Sequence, residues 1–155
     1  MRKENMEKEL KVKKSIDIKA DISKVWEALT NPELTRNYFF GCEVISDWKT
    51  GSSIIFRQFE EGKEIIYVKG IILEIENGKF LKFTAWGPES GFEDVESNYT
   101  LVTYDLSETN RQTKLTITHE NFNEDLKRYN DSEKGWSYLM TALKEYLENK
   151  PNDLF

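Results

Sequence analysis

From the tenth residue the chain alternates. Leu10, Val12, Ile16, Ile18 and Ala20 fall on one side, and Lys11, Lys13, Ser15, Asp17 and Lys19 on the other, with Lys14 the one breach. A period of two predicts a strand with one face buried. The period changes at Asp21, where Ile22, Val25, Trp26 and Leu29 follow at i, i+3, i+4 and i+7. That is the stripe of a short amphipathic helix, with Asp21 as its N-cap. Asn31-Pro32-Glu33 predicts a second short helix, because proline suits the first helical position and Asn31 can cap it. Tyr38-Phe39-Phe40-Gly41 then closes the helical pair in an aromatic corner.

Strand-like segments and turn chemistry fill the middle. Residues 43–46 run into Asp47-Trp48-Lys49-Thr50-Gly51, whose glycine permits a positive φ. Residues 53–59 reach the turn Glu60-Glu61-Gly62. A long segment, 64–76, ends at Asn77-Gly78, which predicts a two-residue hairpin turn onto 79–86. Gly70 inside that segment predicts a bulge or bend that curves it. After a loop at 87–91, residues 97–106 and 113–120 make a last hairpin across 107–112. Successive hairpins imply an antiparallel meander rather than βαβ units.

One helix ends the pattern. Trp136, Leu139, Met140, Leu143, Tyr146 and Leu147 form its stripe, and Lys144, Glu145 and Glu148 face away. Gly135-Trp136 leads into it, Asn130 or Asp131 can cap it with Glu133 in the first turn, and Pro151 lies beyond its end. The fold class is therefore α+β: a curved antiparallel sheet wrapped around a long C-terminal helix, with two short helices after the first strand. It occupies one domain over 10–150, between a frayed 1–9 and a short tail at 151–155.

Composition narrows the function. A chain of 155 residues can bury about 68–70% of its unfolded surface in one core. No apolar run approaches the roughly 18 residues of a membrane span. The start, MRKENMEKEL, lacks the apolar region of a signal peptide. Cys42 is the only cysteine, so no internal disulfide forms, and a cytoplasmic setting is expected. The sequon Asn98-Tyr99-Thr100 is accordingly expected to go unused. Acidic residues number 28 against 22 basic ones, and Glu4, Glu7 and Glu9 interrupt the N-terminal lysines. That balance argues against a nucleic-acid partner. One histidine and one cysteine make no ordinary zinc site, and no P-loop, GxGxxG, GxSxG or HExxH occurs, so no metal and no cofactor are expected.

Several segments together resemble a known family. Val25-Trp26-Glu27-Ala28-Leu29-Thr30-Asn31-Pro32-Glu33 looks like its VWxALTxPE signature, and Ser46-Asp47-Trp48 with Gly51-Ser52 like its SDWxxGS turn. Gly70, Ile72-Leu73-Glu74 and Leu81-Lys82-Phe83-Thr84 resemble its GxVLE…LxYT hairpin. The segment from Thr113 to His119, followed by Gly135-Trp136, resembles its TxLTxTH…GW ending. As an ordered set over roughly 10–150, these are similar to the C-terminal-domain family of the activator of heat-shock protein 90 ATPase, within the START-related (SRPBCC, Bet v 1-like) superfamily. The resemblance implies the helix-grip fold. It does not fix the chemistry, because function lives in the site rather than the fold.

Aromatic residues supply the candidate site. Phe39, Phe40, Phe56, Tyr67 and Phe83 come from the helical corner and the strands, and Trp86, Tyr99 and Trp136 from later strands and the last helix. In a helix-grip fold they converge between sheet and helix, either as solid core or as the lining of an apolar pocket with few polar fixing points. Trp48, in its turn, is either a rim residue or a plug capping the sheet. Met140 would lend such a pocket adaptability or fill a gap in the core. No catalytic residue is assigned. His119 is the one candidate base, sharing a face with Leu115 and Ile117, with Glu120, Glu43 and Arg57 as partners that show no diagnostic spacing. Its alternative is a structural, hydrogen-bonded histidine. Cys42 is expected to be a small buried hydrophobe.

Three functions follow. The first is a cytoplasmic module, monomer or homodimer, that binds a small hydrophobic or amphipathic molecule. The second, implied by the resemblance, is a chaperone ATPase-activating or protein-interaction module partnering heat-shock protein 90. The third is a cyclase- or hydrolase-like enzyme acting within the cavity.

Overall fold

In the computed structural model, which describes residues 10–149, strand β1 (Lys11–Ile18) leads into helices α1 (Ile22–Thr30) and α2 (Pro32–Thr35). Six strands follow: β2 (Glu43–Ser46), β3 (Ser53–Glu60), β4 (Lys63–Glu76), β5 (Phe80–Ala85), β6 (Thr100–Thr109) and β7 (Gln112–Glu120). Helix α3 (Leu126–Glu148) comes last. The frayed start expected over 1–9, the tail at 151–155 and Pro151 lie outside the described residues.

All seven strands form one antiparallel sheet in the order β1-β7-β6-β5-β4-β3-β2. Chain neighbours pair from β2 to β7, and β1 returns to flank β7, so α1 and α2 carry the chain from one edge of the sheet to the other. The inward row of β1 is set by its alternation: Val12 and Ile18 are buried, opposite His119 and Thr113 of β7. Leu115 and Ile117 of β7, Ile72 of β4 and Leu143 of α3 are wholly buried in the same core. Each such side chain contributes roughly 1.5–3 kcal/mol through burial. This is the helix-grip architecture, with α3 held against the concave face.

The helix caps differ from each other. Asp21 occupies the N-cap position of α1, yet its carboxylate makes no capping bond; its main-chain carbonyl accepts from the N–H of Lys24 and Val25. Asn31 does cap α2, its Oδ1 accepting from the Glu33 N–H at 2.9 Å, with Pro32 in the first turn. Helix α3 begins earlier than the apolar stripe indicates. Asp125 is its cap, accepting from the Arg128 N–H at 2.9 Å, so Asn130, Asp131 and Glu133 lie inside the helix, and so does Gly135. The first turns escape the pattern because their contacts are polar. Lys127 pairs with Asp131 at 2.8 Å, and Arg128 donates to the Asn98 carbonyl.

Two turns also depart from expectation. Pairing between β4 and β5 resumes at Glu76–Phe80, so the loop holds three residues, and only Gly78 has a positive φ, at 86°. A two-residue type I′ turn needs positive φ at both central positions. The β6–β7 strands instead run on to Thr109 and Gln112, leaving the two-residue turn Asn110-Arg111 with φ of 54° and 65°. Arginine in the left-handed region is strained. Arg111→Gly is expected to stabilise the protein by about 0.5–1 kcal/mol, read as a higher denaturant midpoint at unchanged slope.

Gly70 is not itself the bulge. The extra residues are Tyr67, where β4 shifts register against β3, and Leu73, where it shifts against β5. Between them Gly70 passes so near β5 that an added Cβ would lie 1.6 Å from the Thr84 carbonyl oxygen. The ladder is interrupted there, and the Ile71 N–H bonds to the Thr84 hydroxyl at 3.0 Å. Gly70 thus fastens β4 to β5 at the point where the sheet bends.

Candidate functional site

The bend leaves a space of about 190 Å³ between the concave face and α3. Phe56 of β3, Val68 of β4, Phe83 and Ala85 of β5 and Val102 of β6 form its sheet wall, with His119 of β7 beyond them. Ser132, Gly135, Trp136 and Leu139 of α3 form the opposite wall, and Phe39 and Phe40 of the corner close one end. Strand alternation explains the sheet wall, since Phe83 and Ala85 are buried inward positions of one strand.

Ring contacts link the wall into a circuit. Phe39 stacks on Phe56 at 4.9 Å, Phe56 lies 6.0 Å from Phe83, and Phe83 meets Tyr104 edge-on at 5.5 Å. Tyr104 meets Trp136 edge-on at 6.1 Å, and Trp136 stands at 90° to Phe39 at 6.3 Å. Each such pair is worth about 0.5–1.5 kcal/mol beyond area burial. At the mouth, Phe40 is 53% exposed and stacks at 5.4 Å on Tyr138, itself 63% exposed. The Phe40 backbone is left-handed, with φ 52°, and its carbonyl accepts from Gln58 Nε2 at 2.8 Å.

His119 is held at both nitrogens. The Trp136 indole N–H donates to Nδ1 at 2.9 Å, which leaves the proton on Nε2. Nε2 lies 2.8 Å from the Thr100 hydroxyl, which donates onward to the Ala85 carbonyl at 3.1 Å. Indole, imidazole, hydroxyl and carbonyl form one directed chain across α3, β7, β6 and β5. Burial first, and the nearby Arg128 cation second, push the imidazole pKa down to about 3. Neither nitrogen is free to accept a proton from a substrate.

This histidine makes stability depend on pH. Because its folded pKa lies below the unfolded value of about 6.5, the unfolded chain binds the proton first. Stability is therefore full above pH 6.5 and falls as pH drops toward 3. At roughly 1.36 kcal/mol per pH unit the loss amounts to a few kcal/mol. Urea midpoints measured between pH 7 and 4 should decline in the wild type and decline less in His119→Gln.

The structure brings Phe39, Phe40, Phe56, Phe83, Trp136 and His119 to the cavity, but not the other sequence candidates. Met140 is buried one residue further around α3, toward Ile16 of β1. Trp48 stays in the β2–β3 turn with φ 58°, its N–H bonded to Ser46 Oγ. Tyr67 donates its hydroxyl to Glu60 at 3.3 Å. Trp86 follows the inward Ala85 and so turns outward, where it stacks on Tyr99 and donates to the Phe92 carbonyl. Tyr99 donates to Asp94 at 2.6 Å, and Lys69 pairs with the same carboxylate at 2.7 Å.

The lining residues that a search for aromatics overlooks are mostly small. Ala85, Val102 and Gly135 leave room where larger side chains would fill it. Gly135 is the legible one, because a glycine inside a helix costs about 1 kcal/mol relative to alanine. A Cβ built there meets nothing within 4 Å. Gly135→Ala should therefore fold normally and raise stability by up to about 1 kcal/mol, read from its denaturant midpoint.

Comparison with known proteins agrees with this architecture. The family described as activator of Hsp90 ATPase homolog 1-like protein matches residues 19–148. The solution structure of ChR145 from Cytophaga hutchinsonii is similar, with 37% identity and a TM-score of 0.74, covering 92% of this chain and 96% of that one. CalU16 from Micromonospora echinospora shares the fold at 20% identity and a TM-score of 0.70, covering 88% of this chain and 73% of its own. The Aha1 dimer from Colwellia psychrerythraea does so at 18% identity and 0.69, covering 89% and 96%. No curated protein matches the chain. No described helix is long and apolar enough to cross a membrane. The family match spans both walls of the cavity and the relay that joins them, and the chain belongs to the family of activator of Hsp90 ATPase homolog 1-like proteins.

Proposed function

We propose that the protein is a cytoplasmic binding module holding a small hydrophobic or amphipathic molecule between the sheet and α3. The observation that supports this reading is the chemistry of the wall. Aromatic and aliphatic side chains surround about 190 Å³, while the imidazole and indole nitrogens there are bonded to each other and to Thr100. Water needs two to four polar partners to settle in such a space. An apolar guest needs none, and gains roughly 25 cal/mol for each Å² it hides from solvent. The buried thiol of Cys42 is consistent with a reducing compartment. Among the described lining residues His119 is the one titratable side chain, and both of its nitrogens are engaged in the relay.

The family description favours a second reading, a protein-interaction module that activates a chaperone ATPase. The exposed Phe40–Tyr138 pair offers apolar surface to such a partner. Native mass spectrometry and thermal shift against a library of lipids and small aromatics separate the two. Adducts and raised melting temperatures, lost in Gly135→Leu, are expected. No adduct with any apolar compound overturns the proposal, and stimulation of chaperone ATPase in that case would favour the second reading.

A further inference from the structure

Given that reading, the cavity also limits what its guest can be. We propose that the ligand is a compact single-ring arene carrying one small, uncharged polar substituent, with the ring inside the cavity and the substituent at Ser132.

Size is the first argument. Sites for drug-sized ligands run to about 300–1,000 Å³. An apolar protein cavity of about 150 Å³ takes one benzene. The space here is about 190 Å³, so it holds a ring with some 40 Å³ to spare. Liquid water occupies about 30 Å³ per molecule, so the remainder suits one or two heavy atoms. A fused polycycle or a long acyl chain would have to displace the wall or leave much of itself outside the cavity.

Shape is the second. Trp136 stands perpendicular to Phe39 at 90°, and Phe39 and Phe56 are stacked, so the wall rings lie in more than one orientation. Aromatic pairs prefer offset-stacked or edge-to-face contact, and a flat ring can make both here. An aliphatic guest of equal volume gains only area burial.

Polarity is the third. Among the described residues no charged side chain lines the cavity, so an ionised carboxylate or ammonium would be stranded there. The relay has used the donors and acceptors of Trp136, His119 and Thr100. Ser132 is the exception. It is half-buried near the start of α3, lines both this cavity and the neighbouring surface cleft, and its hydroxyl makes no hydrogen bond among the described residues. One hydroxyl beside that cleft favours a guest with one polar group at one end.

The test is calorimetric titration of the whole chain with toluene, phenol, benzoate, 2-naphthol and hexadecanoate, with binding located by NOEs to Val102 and Leu139 methyls. Toluene and phenol should bind and give those NOEs, and benzoate should not bind at pH 7. Ser132→Ala, at a half-exposed helical position, should weaken phenol by about 2–10-fold and leave toluene unchanged, the loss of one hydrogen bond. Hexadecanoate or naphthol binding as tightly as phenol would overturn the single-ring assignment while leaving the hydrophobic-binding function standing. Equal loss of phenol and toluene affinity in Ser132→Ala, or no loss of either, would overturn the role of the hydroxyl. Failure of all five compounds to bind would overturn both the ligand class and the function it rests on.

Discussion

Gly70→Ala is expected to abolish folding or to lower stability by several kcal/mol. The added methyl would sit 1.6 Å from the Thr84 carbonyl oxygen and 2.5 Å from its carbon, and both are backbone atoms that no rotamer change can move. Relief requires β4 and β5 to part, which strains the Lys69–Trp86 bridge, whose two hydrogen bonds are both 2.9 Å, and the Ile71–Thr84 bond beside it. Overpacking alone costs typically about 1–3 kcal/mol, and lost ladder bonds add roughly 1 kcal/mol each. Circular dichroism and urea melts measure the effect. A midpoint within a few tenths molar of wild type would show that the strands are not in such close approach.

Trp136→Ala should cost about 3–5 kcal/mol, the usual range for truncating a large buried aromatic. The indole is 9% exposed and contacts Phe39, Tyr104 and His119. Its loss also strands His119 Nδ1 without a donor, inside a wall that offers no replacement. Trp136→Phe separates the two contributions. It keeps most of the ring contact and removes only the N–H, so its cost should be about 1–3 kcal/mol, the price of one buried unsatisfied acceptor. Equal stability of Trp136→Phe and wild type would mean that the relay is not a stabilising element.

The sheet and α3 were legible because their periods are strong and long. Alternation marked the inward row of β1, and the stripe from Trp136 to Leu147 marked the half of α3 that touches the core. What escaped was structure held by polar contacts or by backbone approach. The first turns of α3 carry Lys127 and Asp131, which pair with each other, and Arg128, whose partner is a loop carbonyl, so no hydrophobic rhythm announces them. Asn110-Arg111 adopts a turn that glycine usually occupies, so its residues gave no signal. At the candidate site, large residues drew attention to Phe39, Phe56, Phe83 and Trp136, which do meet. The same reasoning swept in Trp86 and Tyr99, which face outward. An aromatic count measures the wall material but not the vacancy. Gly135 and Ala85 make the vacancy, and only an understanding of which positions face inward reveals them.

Phe40 holds its ring over the mouth against its own backbone preference. A non-glycine residue in the left-handed region costs about 1–2 kcal/mol. The stack with Tyr138 and the bond from Gln58 each return about 0.5–1.5 kcal/mol. At their midpoints these terms leave the stacked arrangement favoured by only about 0.5 kcal/mol, so the ring is expected to stand aside for on the order of a third of the time. A guest therefore does not have to force its way in. Its arrival rate is set by that standing open fraction and its dwell time by how well its ring fits the wall, so compounds of one size class should differ far more in how slowly they leave than in how quickly they arrive.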